Sequence, residues 1–140
     1  MLRWILAVIV GVVVAYVLAQ QLEGVLVRSA AGRNLYTAGD YFAVRNTPPI
    51  LAGRLALSLA AGILGGYMAA RIAKDAALRV AAIAAAALTV MLVVDFTSGE
   101  FAWGTPVWMR VALVVVTGPA MLAGAAVRIR AANLMKTGGP

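Results

Sequence analysis

The sequence predicts an all-α integral membrane protein, a bundle of four helices that each cross the bilayer. Of the 140 residues, 64% are hydrophobic and 12% are charged, whereas a soluble domain is nearer half apolar and a quarter charged. The apolar residues form four long blocks instead of periodic stripes, which is the pattern that membrane-crossing helices require. The length suits a single membrane domain, residues 1–140.

The first predicted helix spans about residues 3–23 and ends at the charged Glu23. Its start also resembles a secretory signal peptide, because a cation precedes an apolar run and the sequence Val-Leu-Ala at residues 17–19. The apolar run is long for a signal peptide, and this favours an uncleaved membrane helix.

The other three predicted helices span about residues 48–73, 76–95 and 106–130. The second and fourth each begin at a Thr-Pro pair, which places a capping hydroxyl before a proline of the first turn. Pro119 removes one backbone hydrogen bond within the fourth helix, so we expect a kink there. The Thr117 hydroxyl is a candidate partner for the carbonyl that this proline leaves free.

The longest connection, residues 24–47, is polar and contains glycine and aromatic residues. It has room for either a short interfacial helix or a hairpin. Lys and Arg concentrate on the cytoplasmic side of membrane proteins, and an inside N-terminus places seven of the twelve cations there. We therefore expect both termini in the cytoplasm and the 24–47 loop in the periplasm.

Composition excludes several classes of function. The chain has no histidine and no cysteine, so it lacks the side chains of disulfides, histidine-based triads and the usual metal and haem ligands. We expect no enzyme activity, no catalytic residue, no metal and no cofactor. The net charge of +7 is spread over helix ends, which indicates contact with anionic lipid head groups and not with nucleic acid.

Small residues recur at every fourth position of the second helix, a spacing that lets two helix backbones approach closely in lipid. The candidate packing residues are Ser58, Gly62, Gly66, Ala70 and, on the fourth helix, Gly124. Two interpretations follow. These residues either pack the four helices against one another or form a face that docks to another membrane protein or a second copy.

Four charged residues form a candidate polar cluster near the outer surface. The charge-free stretches of the second and third helices are about 24–26 Å long, less than the ~30 Å hydrocarbon core. Arg54, Asp95 and Arg110 should therefore lie at similar depth, with Glu23 nearby. Charges at that depth usually pair, so we expect Asp95 to bridge Arg54 and Arg110. Such pairs either fix helix register or form a mouth for an anionic head group or substrate.

Two short motifs carry a family resemblance. The sequence GGYMAARIA at residues 65–73, and the Thr-Pro-Val-Trp at residues 105–108 before a proline-bearing last helix, resemble a broad group of small bacterial four-helix membrane proteins. The likeness covers about residues 48–130. It implies a multi-pass protein of the bacterial inner membrane and carries no activity or site residue with it.

We expect a non-enzymatic accessory or scaffold subunit that docks to other membrane helices, with membrane lipids and a membrane protein or second copy as partners. The alternative is a small transporter, channel or lipid-binding protein that uses the polar cluster. No Asp, Glu, Lys or Arg lies in the middle third of a predicted helix. Ion-coupled transporters usually place a charge there, and this argues against transport.

Overall fold

The computed structural model describes residues 1–32, 34–98 and 104–137, and this part of the chain contains no strand. The all-α class is therefore confirmed. The helices are α1 (Leu2–Ala31), α2 (Ala38–Arg45), α3 (Pro48–Ala73), α4 (Ala77–Ser98) and α5 (Val107–Thr137).

Three helical stretches are long and apolar enough to cross a membrane, which is consistent with a membrane protein. They are Leu2–Ala31, Pro48–Ser98 and Val107–Met135. The second stretch contains both α3 and α4, joined by a short 3-10 helix, Lys74–Ala76. Lys74 has a φ of 54°, a left-handed conformation that ends α3 and lets α4 return along it.

The central helix of the bundle is α3, which lies between α1 and α5. A Cβ added at Gly65 would meet the side chain of Ala15 in α1, and one added at Gly66 would overlap the backbone of Met121 in α5. Packing of α4 against α1 and α5 completes the core, where Leu88 belongs to one buried cluster with Ala15 and Met121. Close backbone approach at glycine is the main source of packing energy between helices in lipid.

The start of α1 and the last turns of α5 lie at one end of the bundle, which we call the termini end. Arg3 at the start of α1 donates from Nε to the carbonyl of Ile72, near the end of α3, at 2.6 Å. Ile129 near the end of α5 packs beside Ala70 and Ala77 at the same level. The opposite end carries α2, and we call it the cap end.

Helix α1 continues to Ala31 instead of ending near 23. Glu23 does not end the helix because its charge is buried and paired inside the protein. The helix stops at Gly32, whose φ of 60° is the left-handed cap that glycine adopts at least cost. The predicted 24–47 loop therefore contains the last turns of α1 and then the short helix α2. Of the two expected forms of this segment, a short helix or a hairpin, the structure has the helix.

The Thr47 hydroxyl does not cap α3 but donates to the carbonyl of Val44. Pro48 is the first residue of α3, where the missing N–H of a proline needs no partner. The Thr105 hydroxyl, two residues before α5, accepts a hydrogen bond from Arg45.

Pro119 lies inside α5, which continues through it. The expectation that Thr117 serves the freed carbonyl is wrong. Proline at 119 removes the donor for the carbonyl of Val115, whereas the Thr117 hydroxyl donates to the carbonyl of Leu113 at 2.6 Å. That carbonyl lies four residues back, within reach of a threonine side chain on the same helix. The kink itself stays a prediction.

Candidate functional site

Glu23 is the centre of a buried polar cluster at the cap end. Its side chain is 5% exposed and pairs with Arg45 of α2 and with Arg54 of α3, whose Nε lies 2.6 Å from Oε2. A lone buried carboxylate is costly, so both arginines explain how a charge is tolerated inside α1. One carboxylate thus joins three helices.

The cap helix α2 is also held to the start of α5. Arg45 donates from Nη1 to the Thr105 hydroxyl at 2.7 Å, and the Asn46 side chain donates to the carbonyl of Gly104 at 2.7 Å. The Phe42 ring occupies the space where a Cβ at residue 104 would lie, so this position favours glycine. The Arg45 guanidinium also lies 5.4 Å from the centroid of that ring, within cation–π range.

Tyr41 contributes the outermost contact of the cluster. Its hydroxyl donates to Glu23 at 3.5 Å, a long hydrogen bond. Burial raises the pKa of the Tyr41 phenol, and the Glu23 carboxylate beside it raises that pKa further, since a second negative charge is unfavourable there. The phenol therefore stays protonated and keeps its donor at neutral pH.

Asp95 does not bridge the two arginines, and that expectation is wrong. Its carboxylate accepts from the Tyr16 hydroxyl at 2.7 Å, while Arg54 pairs with Glu23. Arg110 donates to the carbonyls of Thr105 and Phe96, at 2.8 and 3.2 Å. The physical reason is the arrangement of the helices around α3. Helix α1 packs directly on α3, and this brings Glu23 to Arg54.

A cavity of about 40 Å³ adjoins the cluster, and both Glu23 and Asp95 line it. It reaches from Glu23 to Ala15, eight residues or about 12 Å along α1. The cap end of the cavity is polar and its inner end is apolar. Such a volume holds about three water molecules or one small anion, far less than the ~300–1,000 Å³ of drug-sized ligand sites.

One buried donor points to an occupant of this cavity. Arg54 is 5% exposed and lines the cavity, and its Nη1 has no hydrogen-bond partner among the residues that the structure describes. An unpaired buried donor is unfavourable by about 1–3 kcal/mol. A small acceptor beside Nη1 removes that cost. Arg110 does not line the cavity.

The five candidate packing residues all lie inside the bundle. Ser58 lines the cavity, and Ala70 packs against α4 and α5. A Cβ at Gly62 would lie 2.9 Å from Ala120, and additions at Gly66 or Gly124 would overlap the backbone of the facing helix. The structure thus uses these residues to pack its own helices, and they offer no outward docking face.

Sequence reasoning missed three residues of the cluster, namely Tyr16, Tyr41 and Arg45. A usable signal existed for Tyr16, since Tyr16, Gln20 and Glu23 recur at helical spacing on one face of an apolar helix. Tyr16, Gln20 and Glu23 all line the cavity. Arg45 offered no comparable signal because its role depends on how α2 folds back over the bundle.

Comparisons with known proteins give no family. No protein-family model matches this chain, and no curated protein or solved structure matches it. The resemblance to small bacterial four-helix proteins therefore stays a prediction. Within the described ranges, no group of three or more Asp or Glu residues is arranged to hold a metal ion.

Proposed function

We propose that the protein crosses a bacterial inner membrane four times and serves as a non-enzymatic accessory subunit. The docking surface is the outer face of α4, where Ala82 and Ala86 lie exposed, four residues apart, beside Ile83 and Val90. Small residues at that spacing leave a shallow groove in which another helix packs closely. This exposed pair is the observation that carries the proposal.

The outer face of α1 provides the contrast. Its exposed residues at the same four-residue spacing are Ile5, Ile9, Val13 and Val17. Branched side chains at every position fill the groove between successive turns, and such a face suits lipid chains. We infer that α1 faces lipid while α4 faces a partner helix.

The proposed orientation places the termini end in the cytoplasm. Support comes from the cations, of which Arg3, Arg71, Lys74, Arg79 and Arg128 belong to the termini end. A fluorescent protein fused after residue 140 should then be bright in cells, and a periplasm-dependent phosphatase fused there should be inactive. The reverse pattern would contradict the orientation without touching the docking proposal.

The docking proposal is tested by purification from native membranes in a mild detergent, with mass determination and identification of every bound chain. We expect a larger assembly of fixed stoichiometry. The double variant A82L/A86L fills the groove and should lower recovery of the partner at least tenfold. The matched control I9L/V13L changes the same number of outward residues on α1 and should leave recovery unchanged.

A monomer in native membranes, or equal loss in both double variants, would contradict the accessory function. A fixed partner that proves to be a second copy of this chain would keep the α4 face and redefine the assembly as a homo-oligomer.

A second function, binding of a small anion as in a channel or transporter, is favoured by the free Nη1 of Arg54. The cavity size excludes a lipid chain and admits a halide or formate. Thermal unfolding in detergent should then occur at higher temperature in chloride than in gluconate. Arg54→Gln should abolish that difference, and an anion-independent midpoint in the unchanged protein would contradict anion binding in the cavity.

A further inference from the structure

The termini end contains a second and larger concavity, which we call the basic groove. It lies between the α3–α4 turn and the last turns of α5 and measures about 530 Å³. Three cations line it, Arg71, Lys74 and Arg128, together with one acid, Asp75. The formal charge of these four groups is +2, so the groove is electropositive.

None of the three cations of the basic groove makes an ion pair within residues 1–32, 34–98 and 104–137. Arg71 and Lys74 are exposed and Arg128 is half-buried, so their charges remain available to a ligand. The left-handed backbone at Lys74 fixes the turn that carries two of the four charged groups.

The floor of the groove, by which we mean its apolar lining residues, consists of Ala70, Ala77, Ile129 and Ala132, and Asn133 also lines the groove. The groove therefore combines positive charge with apolar surface, at the end of helices long enough to cross a membrane. A phospholipid has the complementary arrangement, with a phosphate at the surface and acyl chains beneath. Basic pockets between membrane helices bind anionic lipid head groups in this way.

We propose that the basic groove binds one anionic phospholipid from the leaflet at the termini end. Its phosphate lies among Arg71, Lys74 and Arg128, and the upper part of an acyl chain lies on the alanine-rich floor. A free phosphate would gain the charge interaction but nothing from the floor. The volume is within the range of small-molecule sites, unlike the cavity at the cap end. This site is independent of docking through α4.

The test is native mass spectrometry of the detergent-purified full chain after incubation with either phosphatidylglycerol or phosphatidylcholine. We expect one phosphatidylglycerol to remain bound and phosphatidylcholine to be retained far less. Each cation that lies beside the bound phosphate should strengthen anionic lipid binding roughly fivefold. The double variant R71Q/R128Q should therefore lower phosphatidylglycerol affinity about thirtyfold.

The matched control is R79Q/R130Q, which removes the same charge from two cations that do not line the groove. It should retain phosphatidylglycerol within about twofold of the unchanged protein. Equal losses in the two double variants would overturn the proposal, because binding would then reflect general charge. Equal retention of both lipids would also overturn it.

A third arm separates the lipid from a free anion. Inorganic phosphate at millimolar concentration is added to the unchanged protein loaded with phosphatidylglycerol. Retained lipid supports the proposed site. Complete displacement would show that the groove recognises phosphate alone, and it would overturn the assignment to a lipid. Circular dichroism of each variant confirms that loss of binding is not loss of fold.

Discussion

The two ends of the molecule place their cations in opposite environments. At the cap end, Arg45 and Arg54 are 1% and 5% exposed, and both pair with the same carboxylate. At the termini end, Arg71 and Lys74 are exposed and make no ion pair within the described part of the chain. A paired and buried cation positions helices, whereas an unpaired one at a membrane surface is available to lipid.

The difference shows that residue type alone does not assign a role to a charge in a membrane protein. Counting Lys and Arg along the chain treats all twelve cations alike. The position of the acidic residues distinguishes the cations. Glu23 lies within reach of two arginines, whereas Asp75 pairs with none of the described cations. Stability should therefore depend on charge at the cap end and be nearly indifferent to it at the termini end.

Glu23→Gln is the change with the largest expected effect. It removes the ion-pair partner of the buried Arg54 and one partner of the buried Arg45, and breaking a buried ion pair costs about 3–5 kcal/mol. The free energy of unfolding, measured in mixed micelles with increasing denaturing detergent, should fall by that amount. Asp75→Asn is the control, an exposed acid at the termini end, and should change it by less than about 0.5 kcal/mol. Similar losses in the two variants would remove the contrast between the ends.

Gly66→Ala tests the region between the ends, where no charge is involved. The added Cβ would overlap the backbone of Met121, so α3 and α5 must separate. We expect a loss of about 3 kcal/mol, at the upper end for overpacking. Gly24→Ala is the matched control in α1, since a Cβ there meets nothing within 4 Å. It should be neutral or stabilising by up to about 1 kcal/mol.

The Tyr16–Asp95 hydrogen bond should contribute less than the Glu23 pairs. Tyr16→Phe or Asp95→Asn should each lower the free energy of unfolding by about 1 kcal/mol, since interhelical hydrogen bonds in membranes are modest. The double variant should lose little more than Tyr16→Phe alone, because without the hydroxyl donor the weaker acceptor that Asp95→Asn leaves has no contact to lose. Additive losses would show that Asp95 has a second partner, and no loss at all would remove its structural role.

The smallest expected effect is at alkaline pH. The raised pKa of Tyr41 means that folding favours the protonated phenol. Its contribution is therefore fully present below the ordinary tyrosine value near 10 and is lost as pH rises through the higher folded value. The thermal midpoint should fall more steeply above about pH 10 in the unchanged protein than in Tyr41→Phe. Identical slopes would mean that folding does not raise the pKa of the phenol.

The sequence was informative about helices and depth, and less so about partners. Helix α3 spans the predicted 48–73, because a proline begins it and its small residues keep one spacing throughout. Glu23, Arg54 and Asp95 do line one cavity, since rise per residue gives their common depth. Which acid reaches Arg54 depends on the rotation and neighbours of each helix. Those are decided by packing at Gly65 and Gly66, and a single sequence does not specify them.

Helix α1 is longer than a membrane crossing requires. From Arg3 to Glu23 it rises about 30 Å, the thickness of the hydrocarbon core, and it continues to Ala31 for about 12 Å more. Small membrane proteins are hard to align in electron microscopy because little of them projects from the detergent. Here the last turns of α1 extend beyond that length and are packed firmly, since Val27 within them is buried and Leu26 lies against Gly53 of α3. A marker domain inserted beside the exposed Tyr36 would lie next to this packed segment and would serve as an alignment reference.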